Sequence, residues 1–201
     1  MKIRTAATVA LTLATALTLA GCAGGGNSTS MPGMDHGGSS SSAPAEAANF
    51  NDADVMFAQM MIPHHTQAVE MSDMLLGKDG VDERVTALAE EIKAAQQPEI
   101  DQLERWLDQW GADSSMDGMG DMDHGGGMMT EDDMQALEGA NGDDASRLFL
   151  EQMTVHHEGA IDMAQDEIDN GQNPDAIEMA QNIVDTQTAE IAEMENILAA
   201  L

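Results

Sequence analysis

Basic residues, cysteine and aromatic rings are all scarce in this 201-residue chain, and each scarcity closes off a class of function. Seven Lys and Arg stand against 37 Asp and Glu, for a formal net charge of −30. Beyond the first few residues the only cations of this kind are Lys78, Arg84, Lys93, Arg105 and Arg147, widely scattered. No basic patch is left to neutralise a phosphate backbone, which excludes nucleic acid as a partner. A field of this sign concentrates cations instead, although most of the acids do no more than keep the surface soluble. The single cysteine, Cys22, rules out an intramolecular disulfide and a thiolate metal cage. With no Tyr, three Phe and two Trp, apolar packing falls to aliphatic side chains and to 18 methionines. Methionine is the soft donor that disulfide formation cannot consume outside the cytoplasm, though it can oxidise to the sulfoxide. Alternating β-branched runs are missing too, so no strand is expected.

The amino end carries Lys2 and Arg4, an apolar stretch from Ala6 to Ala20, and then Leu19-Ala20-Gly21-Cys22. That stretch is short for a membrane span, and its charges precede it. It looks like a lipoprotein export signal over residues 1–21, with lipidation of Cys22 as the first residue of the mature chain. This resemblance implies a protein anchored on the outer face of the cytoplasmic membrane, in the cell envelope. Removing residues 1–21 takes away Lys2 and Arg4 and no acid, which deepens the charge to −32. Residues 22–48 are Gly, Ser, Ala and Pro with few bulky apolar side chains, and are expected to be a disordered tether.

From Phe50 the pattern turns helical. Phe57, Met61, His64, Ala68, Met71 and Leu75 recur at threes and fours up to Gly77, with Asn51 or Asp52 as N-cap. A second amphipathic stripe, Val85, Leu88, Ile92, Ala95, Ile100, Leu103, Trp106 and Leu107, stops at Gly111. Residues 111–130 break the pattern as a Met- and Gly-rich loop, followed by a short helical turn around Thr130–Leu137. A third stripe runs through Phe149, Met153, His156, Ala160 and Met163 to Asn170-Gly171, and Asn173-Pro174 restarts a fourth through Ile183, Gln187, Ile191 and Met194. The halves repeat each other. A shift of 92 carries Asp52, Phe57, Met61, His64, His65, Ala68 and Met71 onto Asp144, Phe149, Met153, His156, His157, Ala160 and Met163. A shift of 91 carries Ile92, Gln96, Glu99, Ile100 and Leu103 onto Ile183, Gln187, Glu190, Ile191 and Met194. The fold expected over residues 49–201 is all-α, a four-helix bundle of two duplicated hairpins, 50–110 and 143–200. Pro63 and Pro98 fall inside helices in phase with the stripe, where a bend rather than a break is expected. Pro63 has no counterpart at Val155, so the two copies are not expected to be one site written twice.

The chemistry lies in the duplicated motifs, MMIPHHTQAVEM at Met60–Met71 and QMTVHHEGAIDM at Gln152–Met163. Offsets of three, four and seven place Met61, His64 and Met71 on one helical face, and likewise Met153, His156 and Met163. Adjacent histidines point about 100° apart, so His64 and His156 are read as the inward members. His65 and His157 are left to cap a second site or to bond an acid such as Glu158. Met-Asp-His-Gly recurs in the loops, drawing in Met34 and His36 and then Met119, Met122 and His124. Thioether suits Cu(I) and imidazole suits Cu(II), so a mixed set can hold copper in either state. Because imidazole must be neutral to ligate, Cu(II) binding is expected to weaken as pH falls through the histidine range. No Glu-x-x-His di-iron motif, His-Glu-x-x-His zinc motif or Walker loop is present, and nothing marks a catalytic residue.

Phe57-x3-Met61-Ile62-Pro63-His64-His65 with Ala68 and Met71, its echo from Phe149 to Met163, and the Gln-x2-Glu-Ile repeats at Gln96–Ile100 and Gln187–Ile191 resemble the bacterial DUF305 family over residues 50–200. The resemblance implies a ferritin-like fold, export and an association with copper. The functional expectation is an envelope copper-binding protein for sequestration or delivery, with the copper ion, the membrane and a metal-accepting protein or second copy as partners. A copper-dependent oxidase and a helical interaction module with incidental metal affinity are the alternatives.

Overall fold

The computed structural model describes residues 49–114 and 126–201. The tether, Cys22 and most of the Met-rich loop, including Met34, His36, Met119, Met122 and His124, lie outside the described residues. Five helices follow in order: α1 (Asp52–Leu76), α2 (Glu83–Trp110), α3 (Glu131–Gly139), α4 (Gly142–Asn170) and α5 (Pro174–Leu198). Among the described residues there is no strand, and no helix is long and apolar enough to cross a membrane. Local chemistry sets the boundaries. Asn51 caps α1 through Ala53 and Asp54 N–H in a reciprocal capping box with Asp54. Gly111 ends α2 in the left-handed conformation, and Pro174 opens α5 behind the Asn173 cap. The short turn expected after the loop is a nine-residue helix, α3, because Thr130 and Asp133 form a second capping box. Pro63 and Pro98 break neither helix; both are exposed, so water can reach the carbonyl each leaves unbonded.

Helix α1 packs on α2 and α4 on α5, and the hairpins meet chiefly through α1 and α4, while α2 and α5 touch little. Two latches hold α1 and α4 antiparallel. Asp54 in α1 accepts from Gln172 N–H at 3.0 Å and Asn173 N–H at 2.8 Å, just before α5. Its repeat partner Ser146 in α4 accepts from Asp82 N–H at 3.0 Å, just before α2. Each hairpin's first helix therefore satisfies backbone donors at the entry to the other hairpin's second helix.

The core is two apolar clusters with a polar layer between them. One holds Met71, Leu75, Leu88, Ile92, Phe149 and Met153; the other holds Phe57, Met61, Leu103, Trp106, Ala160 and Ile183. Between them along the chain α1 contributes His64 and His65, α2 Gln96 and Glu99, α4 His156 and His157, and α5 Gln187 and Glu190. In α2 the buried residue at this level is Gln96, whereas the neighbouring Ala95, expected in the stripe, is exposed.

One further polar group is buried where copy one has Leu75. Glu167 of α4 is 1% exposed and lies over Gly171, where a Cβ would collide with its carboxyl group. Burial, with the adjacent Asp54 carboxyl, raises the Glu167 pKa from 4.5 to about 8. The folded protein thus holds a proton there that the unfolded chain releases. Its contribution to stability is complete below about pH 4.5 and is lost as pH rises to about 8. Glu167→Gln, which keeps a donor and cannot ionise, is expected to raise the melting temperature on the order of 5 °C at pH 9 and to leave it nearly unchanged at pH 4.5. Thermal melts at the two pH values check this, and an equal shift at both rules it out.

Candidate metal centre

The four paired histidines meet where α1 crosses α4. His64 and His156 face each other with ring centroids 3.7 Å apart and planes 35° from parallel. His65 lies 6.4 Å from His64 and His157 lies 6.5 Å from His156, at interplanar angles of 54° and 53°. His64 is 2% exposed and the other three are fully buried. The inward placement of His64 and His156 agrees with the helical stripe. The flanking members are not at the surface, however, and they do not bond Glu158. His65 Nε2 lies 2.7 Å from Glu99 of α2, and His157 Nε2 lies 2.7 Å from Glu190 of α5. Each of these rings is oriented by an acid on the second helix of its own hairpin.

The partners determine which ring nitrogen remains for an ion. A backbone carbonyl only accepts, so the 2.7 Å contact from His64 Nε2 to Gly126 O requires the hydrogen on Nε2. Glu99 and Glu190 impose the same choice on His65 and His157. In the neutral ring the lone pair then sits on Nδ1, and no described residue donates to Nδ1 of His64, His65 or His157, or to either ring nitrogen of His156. Gln96 and Gln187 add one buried amide oxygen each, also without a partner. Leaving such a group unpaired in the core costs roughly 1–3 kcal/mol, and every one of these atoms except the N–H of His156 offers a lone pair. Copper fits a donor set of this kind, because imidazole and thioether suit its two oxidation states. Among the described residues no three His, Cys, Asp or Glu side chains converge on one point. The facing pair of imidazoles, His64 and His156, is therefore the centre of what this layer offers.

Burial lowers His64 from 6.5 to about 3, with the neighbouring His65 adding to the effect. His156 is driven well below its usual range, again first by burial and then by His64. The expectation that protons compete for all four rings through the ordinary histidine range is thereby corrected for this pair. His64 and His156 stay neutral through that range because their pocket cannot solvate a charge.

The methionines distribute themselves across the clusters. Met61, Met71 and Met153 are wholly buried. Met71 shares a cluster with Met153, and Met163 packs against the cluster that contains Met61. Of the four motif methionines, each side of the histidine layer thus receives one from each copy. Met163 is only half-buried and lines a surface cleft, so the single uniform face expected for the second copy divides at its last member.

The halves are geometrically alike at the histidines, and what separates them is the end of the loop. Pro63 and Val155 both carry exposed side chains, and the backbone carbonyl of Val155 lies close against Gly127 at the loop end. At the position of Gln67 in copy one, copy two has Gly159. Gln67 clasps the backbone of Met129 through two hydrogen bonds of 2.9 and 2.7 Å. A Cβ on Gly159 would overlap the Gly126 carbonyl, the group that holds His64. Glu99, Glu190, Gln67, Gly126 and Gly159 are site residues that the sequence motif alone did not single out. The repeated Gln-x2-Glu-Ile was the available signal for the first two.

Gly159→Ala is expected to push the loop end away, cost about 1–3 kcal/mol in chemical denaturation, and remove the Nε2–H···O=C signature of His64 from nitrogen NMR. The His65 and His157 signatures should persist. In the unaltered chain the His64 and His156 ring signals should not move between pH 7 and pH 5; titration of either in that interval contradicts their burial.

The comparisons agree with this architecture. A DUF305 crystal structure from Streptomyces coelicolor is 34% identical, covers 74% of this chain and 91% of its own, and superposes with a TM-score of 0.68. A DUF305 fragment from Deinococcus radiodurans is 30% identical at the same TM-score, covering 75% of this chain and 98% of its own. CopM, solved in Cu(II)-bound form, is 29% identical with a TM-score of 0.63, covering 73% and 96%; it has also been solved with Cu(I) and with silver. No curated protein matches the chain. The model of DUF305, a domain of unknown function, matches residues 54–198, the span of all five helices except the first two residues of α1, and the chain belongs to that family.

Proposed function

We propose that this protein binds copper in the cell envelope, at the histidine layer between its two apolar clusters, to sequester or deliver the ion. The observation that carries this reading is the set of buried ring nitrogens and amide oxygens that no described donor reaches. His64 and His156 supply the central imidazoles, and Met61, Met71 and Met153 supply soft support on either side. His65 and His157, backed by Glu99 and Glu190, supply the outer nitrogens and balance the charge of an incoming ion. Crystal forms of CopM with copper and silver support the choice of metal. The Streptomyces coelicolor relative, described as secreted, supports a place outside the cytoplasm. Lipidation of Cys22 and the copper-binding role of Met34, His36, Met119, Met122 and His124 belong to the same proposal, as an anchor and as accessory donors.

Replacing both central rings tests the layer. In a competition titration against a Cu(I) chelator, His64→Gln/His156→Gln is expected to weaken the tightest site of the mature chain at least tenfold while circular dichroism stays unchanged. Copper should also raise the melting temperature of the unaltered chain, by an amount corresponding to about 2.7 kcal/mol at a hundredfold excess over Kd. Equal affinity in the two chains rejects the histidine layer as the site.

A further inference from the structure

A cleft of about 350 Å3 opens between α1 and α4 at the end of the bundle where α1 begins. It is lined by Met56, Met60 and Met163 together with the acids Asp52, Asp166 and Glu167. Met56 and Met60 are four residues apart on α1 and share a face; Met163 comes from α4. Met56 is 44% exposed, while Met60 and Met163 are half-buried. Thioethers therefore run inward from solvent. The clefts beside Arg84, Trp106 and Gln187 hold at most one methionine each, whereas this one holds three, with Asp52 and Asp166 exposed at its rim.

The cleft also adjoins the histidine layer. The Met163 sulfur lies 3.6 Å from the position a Cβ would occupy on Gly126, and the carbonyl of Gly126 is 2.7 Å from His64 Nε2. Met61, next in sequence to Met60, is wholly buried in the cluster against which Met163 packs. A soft ion at the cleft is thus one residue away from the imidazole that faces His156. Thioether sulfur has little affinity for hard ions, so the three methionines make the choice of a soft cation; the exposed Asp52 and Asp166 attract cations to the rim, while Glu167 is buried and keeps its proton up to about pH 8.

We propose that this cleft is a second metal site, a solvent-facing docking site for a soft monovalent cation of the copper(I) and silver(I) class, from which the ion passes to the histidine layer. The inward passage rests on the copper reading of that layer; the docking site does not.

Silver(I) is a suitable probe because it is diamagnetic and does not change oxidation state. In the mature chain labelled with 13C at the methionine methyls, silver nitrate is expected to shift the signals of Met56, Met60 and Met163 together. M56L/M60L/M163L is expected to lower the silver count in the native mass spectrum by one, and Met56→Leu alone, at an exposed position that cannot unsettle the core, to weaken binding severalfold. The three methyl signals should still respond in His64→Gln/His156→Gln. If they respond while the ring nitrogens of the unaltered chain do not, the docking site stands and the histidine reading falls. The ring nitrogens should respond severalfold more slowly in the triple variant, and an equal rate overturns the inward passage. Silver shifts confined to other methionines, or an unchanged count in the triple variant, overturn the docking site.

Discussion

A polar layer that offers lone pairs and few hydrogens, set across the middle of an apolar bundle, is the constraint on which the rest of this structure depends. Apolar side chains at these eight positions would join the two clusters into one continuous core and make a more stable protein. The chain instead places four imidazoles, two amides and two carboxyl groups there. The fold offsets this locally, with Glu99 and Glu190 engaging one nitrogen of the outer rings and Gly126 one nitrogen of His64. It offsets it globally through cross-hairpin latches at both ends, where Asp54 and Ser146 tie α1 and α4 to opposite loops. Apart from one N–H of His156, what stays unpaired is a set of lone pairs, and that bias favours an ion over poor packing as the explanation.

Duplication supplies the symmetry of the layer, and the connection between the hairpins breaks it. The ring spacings within the two histidine pairs differ by only 0.1 Å, 6.4 against 6.5 Å. Yet only one of the two central rings has a backbone partner. A single replacement explains this: glycine at 159, where copy one has Gln67, lets the loop lie directly on α4, and Gln67 itself holds the next stretch of that loop by its backbone. The two copies have thus taken complementary parts, one making room for the connection and the other gripping it. His156, with both nitrogens unpaired, is the freer ring of the facing pair.

Much of this is legible in the sequence because it is local. Caps at Asn51, Asn173 and Gly111, the period of the stripes and the register of the repeat all depend on residues close in the chain, and together they place His64 and His156 inward. What depends on the meeting of separate helices is less legible. A helical wheel assigns His65 and His157 to a flank, and only the packing of α2 and α5 turns that flank into interior and brings Glu99 and Glu190 to it. The same holds for pH. Spacing gives imidazole its ordinary titration range, whereas burial, a property of the assembled bundle, moves His64 to about 3. Glu167 is the converse case: an acid in an apolar register that sequence alone assigns to the solvated majority.

The surface and the interior of this protein also act on an ion in different ways. A net charge of −30 gathers cations without regard to kind, since Coulomb attraction at a wet surface depends on charge and little else. Selection therefore falls to the interior, and there the central pair is neutral. The cost of desolvating an ion rises with the square of its charge, so a divalent ion pays about four times what a monovalent one pays to enter the same pocket. Neutral imidazole and thioether return little of that to a hard divalent ion and much more to a soft monovalent one. On the copper reading, the buried pair thus suits Cu(I) better than Cu(II).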